Sequence, residues 1–463
     1  MTFRASRIAI GGLAAAALSI SALTTAASAQ ETVTFWANKG FYKAEDDALN
    51  AVIDKYQKAT GVKVDLSLYS IEDCITKTVG AIEAGTPPDA AYCLTYDFRT
   101  TGKWAWEGKI EDLSDIVTPL KGDFVEEALA TTYLANQKSG KKAYYALPFQ
   151  RQTIHINYWR DMLEEAGFKE SDIPTTWNEY WGFWCDKVQA GLRAKGKRIY
   201  GIGHPLSVEA SDTFFSFLMV ASAYGAQIVD KEGKITLDEP KNKAAMVEAL
   251  KFYTSIHTKG CTPPGSTSWK DPDNNQAQHA KQTVMTHNAT ISIAAKWLDD
   301  SNNASLTQEQ RDQAKINYEK LLATTSWPKG PNGQTIPNLA ATKTAVVFAD
   351  AKNKKRGREF LAFFVKDENL RPFTEGSLGR WYPATTAATK STFWTSGDPH
   401  RAVVHKQFSE GTVPFQFVYN FKFTTVNAEN VWGKAMNRVL QDKVPAEQAV
   451  DEMIKRIKEI ATL

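Results

Sequence analysis

Residues 32–94 read TVTFWANKGFYKAEDDALNAVIDKYQKATGVKVDLSLYSIEDCITKTVGAIEAGTPPDAAYCL, and this stretch decides the fold class. Apolar and polar side chains alternate at 32–36 and again at 62–68, which predicts two strands. Between them, residues 44–61 place apolar side chains at helical spacing and end on a glycine, which predicts a helix. A second helical pattern then leads into a short strand at 90–94. Strand, helix, strand, helix, strand predicts a parallel sheet with right-handed crossovers, and therefore an α/β fold.

Residues 1–29 have the composition of a secretory signal peptide. Two arginines open the segment, an apolar stretch follows at 8–23, and Ala27-Ser28-Ala29 satisfies the small-residue rule for cleavage. An uncleaved membrane anchor is the alternative, but the apolar core is short for a bilayer and is diluted by small polar residues. We therefore expect the mature protein to begin near Gln30 and to work outside the cytoplasm.

The pattern of strands and helices restarts after residue 150, beginning with IHINYW at 154–159. About 430 residues follow the predicted cleavage site, which is too many for one ordinary core and fits two large lobes. The formal net charge of the whole chain is +3, and removal of two arginines with the signal peptide leaves +1. Such a balanced chain gives no electrostatic reason to expect nucleic acid or an anionic membrane surface as a partner.

Four cysteines lie at positions 74, 93, 185 and 261. An even number in an exported protein predicts disulfides. Cys74 and Cys93 would close a short loop, and Cys185 and Cys261 would join two parts of the second half. Three connectivities are open to four cysteines, and the sequence does not choose among them. The sequence has no CxxC motif and no Cys/His cluster, so we expect no metal site and no cofactor.

Several motifs occur in a fixed order along the chain: GTPPDAAY (85–92), EGKIEDLSDI (107–116), YALPF (145–149), HINYWRDMLEEAGF (155–168), IPTTWNEYW (173–181), GKITLDEP (233–240), NNQAQHAKQTVMTHN (274–288), GREFLAFFV (357–365) and PAEQAVDEMI (445–454). In this order the chain resembles the sugar-binding branch of bacterial ABC-transporter solute-binding proteins, the group that includes maltose-binding protein. The resemblance runs over nearly the whole mature chain. Each motif alone is unspecific, and the ordered set indicates the family rather than the ligand.

The resemblance implies a two-lobed periplasmic binding protein, with a mixed, mostly parallel sheet in each lobe and a ligand cleft between them. It implies an N-terminal lobe of residues 30–149 and about 325–372, and a C-terminal lobe of residues 150–324 and about 373–463. Such a protein is not an enzyme. As a monomer it closes on a carbohydrate, because ligand contacts favour the closed state, and delivers it to the membrane subunits of an ABC permease.

Two alternatives stay open on the residues alone. A polyamine site in the same fold would need several carboxylates beside aromatic rings, and Asp97 and Glu209 are the carboxylates placed for it. A secreted glycoside-processing enzyme would need two carboxylates a few ångströms apart, and ample Asp and Glu in a sequence do not place such a pair. The sequence contains no G-x-S-x-G, HExxH, Walker A or Rossmann glycine motif.

A sugar offers its C–H faces to aromatic rings and its hydroxyls to planar polar groups. In the first lobe, Asn38 and Tyr42 follow the first strand and Asp97 follows the third, where sheets of this class bind ligands. Asn38 and Asp97 can equally cap a helix or turn. Gln150 and Arg151 follow LPF at the predicted crossover, where long polar side chains either brace the lobes or face the cleft.

In the second half, SWKDPDNNQAQ (268–278) is the strongest candidate segment. Trp269 stands in a polar, Pro-rich stretch without helical partners, so we predict that it stacks on a sugar ring. Asn274 and Asn275 are adjacent amides that either read hydroxyls or cap the following helix. Glu209 precedes an apolar helix and is predicted to face the cleft. Capping of that helix is the alternative, although the aspartate three residues later suits a cap better.

Two later segments complete the candidate site. His287 and Asn288 follow Met in VMTHN, at the position that often faces the cleft in the family that the chain resembles. His287 can instead be a packed core residue. Arg380 and Trp381 stand in the glycine-bracketed loop GSLGRWYP, where turn chemistry predicts that they are exposed. Trp381 then either stacks on the ligand or only closes the lobe.

Overall fold

The computed structural model describes residues 31–462, so the predicted signal peptide and its cleavage site lie outside the described residues. The strands are, in chain order, β1 (Thr32–Asn38), β2 (Lys63–Tyr69), β3 (Ala90–Tyr92), β4 (Tyr133–Asn136), β5 (Lys141–Tyr144), β6 (Leu147–Thr153), β7 (His155–Trp159), β8 (Tyr200–Gly203), β9 (Thr283–Asn288), β10 (Leu322–Thr325), β11 (Asn338–Val347), β12 (Tyr382–Pro383) and β13 (Thr412–Pro414). Strands β4 and β5 form a separate hairpin, and the others form two sheets.

Helices connect the strands, and local chemistry sets several of their ends. The α-helices are α1 (Lys43–Thr60), α2 (Ile71–Glu83), α3 (Tyr96–Arg99), α4 (Thr101–Glu107), α5 (Ser114–Leu120), α6 (Glu126–Ala130), α7 (Arg160–Glu165), α8 (Trp177–Gly182), α9 (Gln189–Ala194), α10 (Ser211–Ala223), α11 (Pro240–Thr258), α12 (Asp273–His279), α13 (Ser292–Asn302), α14 (Gln308–Ile316), α15 (Lys354–Phe364), α16 (Asp367–Gly376), α17 (Thr386–Thr389), α18 (Thr392–Thr395), α19 (Arg401–Ser409), α20 (Gln416–Tyr419), α21 (Phe423–Ala428), α22 (Val431–Leu440) and α23 (Ala446–Thr462). Gly61, with a φ of 73°, ends α1 in the left-handed conformation. The Ser70 side chain caps α2 by accepting from the Asp73 N–H at 3.0 Å.

The first sheet has the strand order β12-β6-β11-β3-β1-β2, with β13 beside β11. Strand β1 lies parallel to β2 and β3, as residues 32–94 predict. Strand β11 is antiparallel to both β3 and β6, so the sheet is mixed. Alternate residues of β1 are buried on one face, where the Phe35 ring packs 5.0 Å from the Phe360 ring of α15. This arrangement of helices on a mixed sheet confirms the predicted α/β fold class.

The second sheet has the order β10-β7-β9-β8. Strand β8 runs parallel to β9, whereas β7 is antiparallel to both β9 and β10. The predicted predominance of parallel pairs therefore does not hold in this sheet. Strand β7 follows β6 after a single residue and is antiparallel to β9 and β10, the two strands with which it pairs.

The chain crosses between the sheets at the β6–β7 and β10–β11 connections. The later boundary predicted near residue 373 lies too early. Phe373, Trp381 and Ala384 belong to the core under the first sheet, and β12 pairs with β6. Trp394 and helices α21 to α23 pack instead in the core of the second lobe. The segment between α16 and β12 therefore stays with the first lobe, because its apolar side chains are buried there.

Two disulfides join distant elements, Cys74–Cys93 and Cys185–Cys261. Their Cα atoms are 6.2 and 5.1 Å apart. The first joins α2 to the end of β3, and the second joins the π-helical turn between α8 and α9 to the segment after α11. The prediction of disulfides is confirmed, and the structure selects one of the three connectivities. Within residues 31–462, no helix combines the length and apolar character that a bilayer span requires.

Candidate ligand-binding cleft

A cleft lies between the two sheets and is lined from both lobes. We call it the interlobe cleft, and its cavity volume is about 40 Å³. The first lobe and the crossing strands contribute Phe41, Ile71, Leu94, Thr95, Gln152, Lys343, Arg380 and Trp381, and the second lobe contributes Ser211, Asp212, Phe215, Asp271, Asn288, Ala289, Thr290 and Ser292. Aromatic rings, carboxylates and cations therefore face one small space.

Arg380 forms the first-lobe end of the cleft together with two aromatic rings. Its Nη1 donates to the Glu45 carboxylate at 2.7 Å, and its guanidinium carbon lies 4.0 Å from the Phe41 ring centre and 4.7 Å from that of Trp381. The Trp381 indole N–H donates to the same carboxylate at 3.1 Å. Gly379, with a φ of 90°, makes the turn before Arg380. The prediction that Arg380 and Trp381 are exposed is wrong: they are 5% and 4% exposed, because Glu45 binds both.

Lys343 of β11 lies at the floor of the cleft. Its Nζ donates to the Asp97 carboxylate at 3.2 Å and lies 5.2 and 5.1 Å from the ring centres of Phe98 and Phe215. Burial raises the pKa of Asp97 to about 6 although the Lys343 charge opposes the rise, and burial lowers the pKa of Lys343. For both side chains the free-energy cost of desolvation outweighs their mutual attraction. The ion pair therefore holds the two side chains in position more than it stabilises the fold. Asp97 is engaged by Lys343, which itself lines the cleft.

Asp271 caps the N-terminus of α10 at the second-lobe wall. Its carboxylate accepts from the Ser211 N–H at 2.5 Å, the Ser211 hydroxyl at 2.6 Å and the Asp212 N–H at 3.3 Å. These N–H groups have no partners inside the helix, and a negative charge there is favoured by the helix dipole. The sequence assigns this cap to Asp212. That assignment is wrong, because Asp271, 60 residues from Ser211 in the chain, occupies the position.

Asp212 faces the cleft from the first turn of α10. One of its oxygens accepts from the Asn274 amide at 2.8 Å. Burial raises the pKa of Asp212 to about 7, the nearby charge of Asp271 adds to the rise, and the Asn274 hydrogen bond opposes it. The raised pKa favours the protonated form of Asp212 over its charged form. In the protonated form the carboxyl group donates a hydrogen bond as well as accepting one.

The predicted amides form one network behind the second-lobe wall. The Asn288 amide donates to Asn275 Oδ1 at 3.1 Å and to Ser292 Oγ at 2.9 Å. Asn275 also donates to Ser292 Oγ at 2.8 Å, and Asn274 reaches Asn288 Oδ1 at 3.3 Å. Asn288 and Ser292 line the cleft, whereas Asn274 and Asn275 lie behind them and fix their orientation.

Three buried polar atoms of cleft residues have no hydrogen-bond partner within residues 31–462. They are Gln152 Nε2, Thr95 Oγ1 and Arg380 Nε, on side chains of residues that are at most 5% exposed. Buried polar groups in folded proteins are nearly always paired. These donors are therefore available to a ligand that carries hydrogen-bonding oxygens.

Four predicted residues hold the scaffold and do not line the interlobe cleft. Asn38 accepts from the backbone after β3 at 2.6 Å and donates to the backbone after β2 at 2.9 Å. The Tyr42 hydroxyl donates to a carbonyl in the loop before Arg380 at 2.5 Å. Gln150 accepts from a tyrosine hydroxyl of β3 at 2.6 Å, and the Arg151 guanidinium lies 4.3 Å from the centre of a phenylalanine ring of α19. These contacts engage the Asn38 amide, the Tyr42 hydroxyl and Gln150 Oε1, whereas Gln150 Nε2 has no hydrogen-bond partner within residues 31–462.

His287, Glu209 and Trp269 also lie outside the cleft lining. His287 is packed in the second-lobe core, with Nδ1 2.7 Å from the Ser216 hydroxyl and Nε2 2.7 Å from a ring nitrogen of His204. Burial lowers the pKa of His287 to about 3, so it is neutral. Glu209 is exposed, whereas Trp269 is half-buried and follows the short 3₁₀ turn at 264–268.

Lys343, Gln152, Phe41 and Phe215 line the cleft but were not selected from the sequence. Lys343 had a signal: it is the one charge within an apolar strand, and a buried charge needs a partner. Gln152 follows Gln150 by two residues and shares its strand face. No feature of the sequence distinguishes Phe215 as a cleft residue, because α10 is apolar on most sides.

Comparison with known proteins gives a consistent family. A sequence profile of bacterial extracellular solute-binding proteins matches residues 51–403. A Brucella abortus (strain 2308) protein named only as a binding protein is 26% identical over 364 residues, which are 78% of each chain. An ABC-transporter solute-binding protein from Thermotoga lettingae, solved with α-D-tagatose, superposes with a TM-score of 0.74 at 19% identity and covers 93% of this chain and 100% of its own. Maltose-bound MalE3 of T. maritima gives 0.73 at 18% identity, over 93% and 99%.

Proposed function

Because the chain belongs to the family of bacterial extracellular solute-binding proteins, we propose that it binds a neutral carbohydrate in the interlobe cleft and delivers it to an ABC permease. In this proposal it works in the periplasm as a monomer and catalyses no reaction. Relatives of the same fold, at 19% and 18% identity, were solved with α-D-tagatose and with maltose.

The unpartnered polar atoms beside aromatic rings are the observation that carries the sugar assignment. The Gln152 amide and the Thr95 hydroxyl supply buried hydrogen-bonding groups on the first-lobe side. Phe41, Trp381 and Phe215 supply rings on both walls, against which the C–H faces of a sugar can pack. A ligand with hydroxyls around an apolar ring satisfies both kinds of surface at once.

The charges of the cleft favour a neutral ligand over a polyamine. Arg380 is paired with Glu45 and Lys343 with Asp97, both as buried ion pairs. Of the carboxylates in the described lining, Asp271 is held by a helix N-terminus and the raised pKa of Asp212 disfavours its charged form, so the lining offers few free negative charges to a polyamine.

Binding is coupled to closure because both walls touch the same space. Contacts between the lobes already exist outside the cleft: the Asn427 amide donates to the Phe98 carbonyl at 2.9 Å, and the Ala44 N–H donates to Asp299 Oδ1 at 3.1 Å. A ligand held between the walls adds contacts that exist only in the closed arrangement, so it shifts the equilibrium toward closure.

Thermal unfolding of the mature protein with a panel of mono- and oligosaccharides tests the proposal, with putrescine and spermidine as comparison ligands. A bound sugar at about a hundredfold excess over Kd should add about 2.7 kcal/mol to the free energy of unfolding. The same sugar should reduce the radius of gyration in small-angle scattering. Stabilisation by a polyamine and by no sugar would contradict the carbohydrate assignment.

A further inference from the structure

A second and larger concavity lies in the second lobe, between α8 and the connection from β10 to β11. We call it the hinge groove, and its cavity volume is about 430 Å³. It shares no lining residue with the interlobe cleft. Thr325 at the end of β10 and Asn338 at the start of β11 both line it. A ligand in the groove therefore touches a connection that must bend when the lobes move.

Three aromatic side chains, Tyr158, Tyr180 and Trp327, line the groove together with prolines and hydroxyl-bearing residues. Trp327 is braced by the core, since its ring lies 5.5 Å from the Trp181 ring and 5.6 Å from that of His287. Tyr158 is fixed by its hydroxyl, which donates to a Glu170 oxygen at 2.5 Å. The rings are therefore held in place and offer fixed apolar surfaces.

Tyr180 supplies an unused hydrogen-bond donor. The residue is 4% exposed, and its hydroxyl has no hydrogen-bond partner within residues 31–462. The indole of Trp184 lies beside it, with ring centres 5.9 Å apart, but an indole N–H only donates. The phenolic proton of Tyr180 thus finds no acceptor in the described chain. An oxygen of a ligand would supply one.

Both carboxylates around the groove face cationic neighbours. Glu170 is paired with Arg160 at 2.9 Å, and Glu410 faces Lys406 at 3.7 Å. The Lys329 ammonium donates to the Thr335 hydroxyl at 2.7 Å. Because both carboxylates have cationic partners, a neutral ligand is favoured over an organic cation.

We propose that the hinge groove is a second binding site, for a neutral hydroxylated ring compound such as a sugar. The rings of Tyr158 and Trp327 take its apolar face, and Tyr180 donates to one of its oxygens. The two sites share no lining residue, so both can be occupied at the same time.

Equilibrium dialysis of the mature protein with radiolabelled glucose, maltose and cellobiose tests this site, with labelled choline as the organic cation. The background is the cleft double variant Gln152→Leu/Asp212→Asn, in which binding at the cleft is weakened. At least one of the sugars should still bind at millimolar concentration. Tyr180→Phe in that background should weaken this binding by about tenfold, because one hydrogen bond to a buried group is lost.

Tyr133→Phe is the matched control, because Tyr133 lies in the hairpin of the first lobe and is 46% exposed. It makes the same chemical change and should leave sugar binding unaltered. Thermal unfolding of each variant checks the fold. Absence of sugar binding to the double variant, equal binding with and without Tyr180→Phe, or binding of choline alone would each overturn the second site. The fall caused by Tyr180→Phe identifies the hinge groove, because a sugar held at the weakened cleft does not contact Tyr180.

Discussion

Replacing Gln152 by leucine should stabilise the ligand-free protein and weaken its binding of a sugar. Gln152 is 5% exposed, and its Nε2 has no hydrogen-bond partner within residues 31–462. An unpaired buried amide costs about 1–3 kcal/mol, so Gln152→Leu should raise the free energy of unfolding of the ligand-free protein by about 1 kcal/mol. The same change leaves a ligand hydroxyl without its partner. Sugar affinity should fall about tenfold to a hundredfold, which corresponds to about 1.4–2.8 kcal/mol.

Calorimetric titration with the sugar found in the panel measures the affinity, and denaturant unfolding of the ligand-free protein measures the stability. Gln416→Leu is the matched control: Gln416 is 6% exposed, its Nε2 also lacks a partner, and it does not line the cleft. It should gain similar stability with unchanged affinity. Wild-type affinity in Gln152→Leu would refute the proposed contact. A fall in ligand-free stability would show that the amide is already paired.

Three further predictions follow from the same geometry. Trp269→Ala should change sugar affinity by less than about threefold, because Trp269 does not line the cleft; a loss of thirtyfold or more in calorimetric titration would restore the stacking role predicted from the sequence. Asp271→Asn should lower the free energy of unfolding in denaturant by about 1–2 kcal/mol, because it removes the charged cap of α10, and an unchanged midpoint would contradict that cap. Burial lowers the pKa of six histidines, so on acidification the unfolded chain takes up protons that the folded chain does not, and stability is lost as the pH falls below about 6.5. Four carboxyl groups whose pKa burial raises oppose this change but are fewer, so the free energy of unfolding should fall between pH 6.5 and 5, and a flat profile over that range would refute it. The six histidines are His155, His204, His257, His279, His287 and His400.

Part of the candidate site was predictable from local signals. Arg380 and Trp381 followed from their glycine-bracketed loop, whereas Asn288 followed from the family resemblance of the segment VMTHN. The loop was correctly placed in the site, but its side chains were wrongly predicted to be exposed. The Glu45 carboxylate that binds both side chains is distant in sequence, so no residue near the loop indicates this contact. Polar residue type alone was also not sufficient: both ends of the Asn38 amide and Oε1 of Gln150 are engaged in the scaffold.

The α/β class could be predicted from the sequence alone, because the spacing of apolar side chains is a property of short segments. Over residues 32–94 this spacing alternates between the pattern of a strand and that of a helix. The sequence also restricted the cysteines to three connectivities. Only the tertiary structure decided which groups face the cleft, since that depends on pairs far apart in the chain. Asp271 caps a helix that starts 60 residues earlier, and Lys343 reaches Asp97 across 246 residues. A polar group that is paired within the fold is not available to a ligand, whereas an unpaired group such as the Gln152 amide is. That division is a property of packing, because a buried polar group must find a partner wherever the fold brings one near.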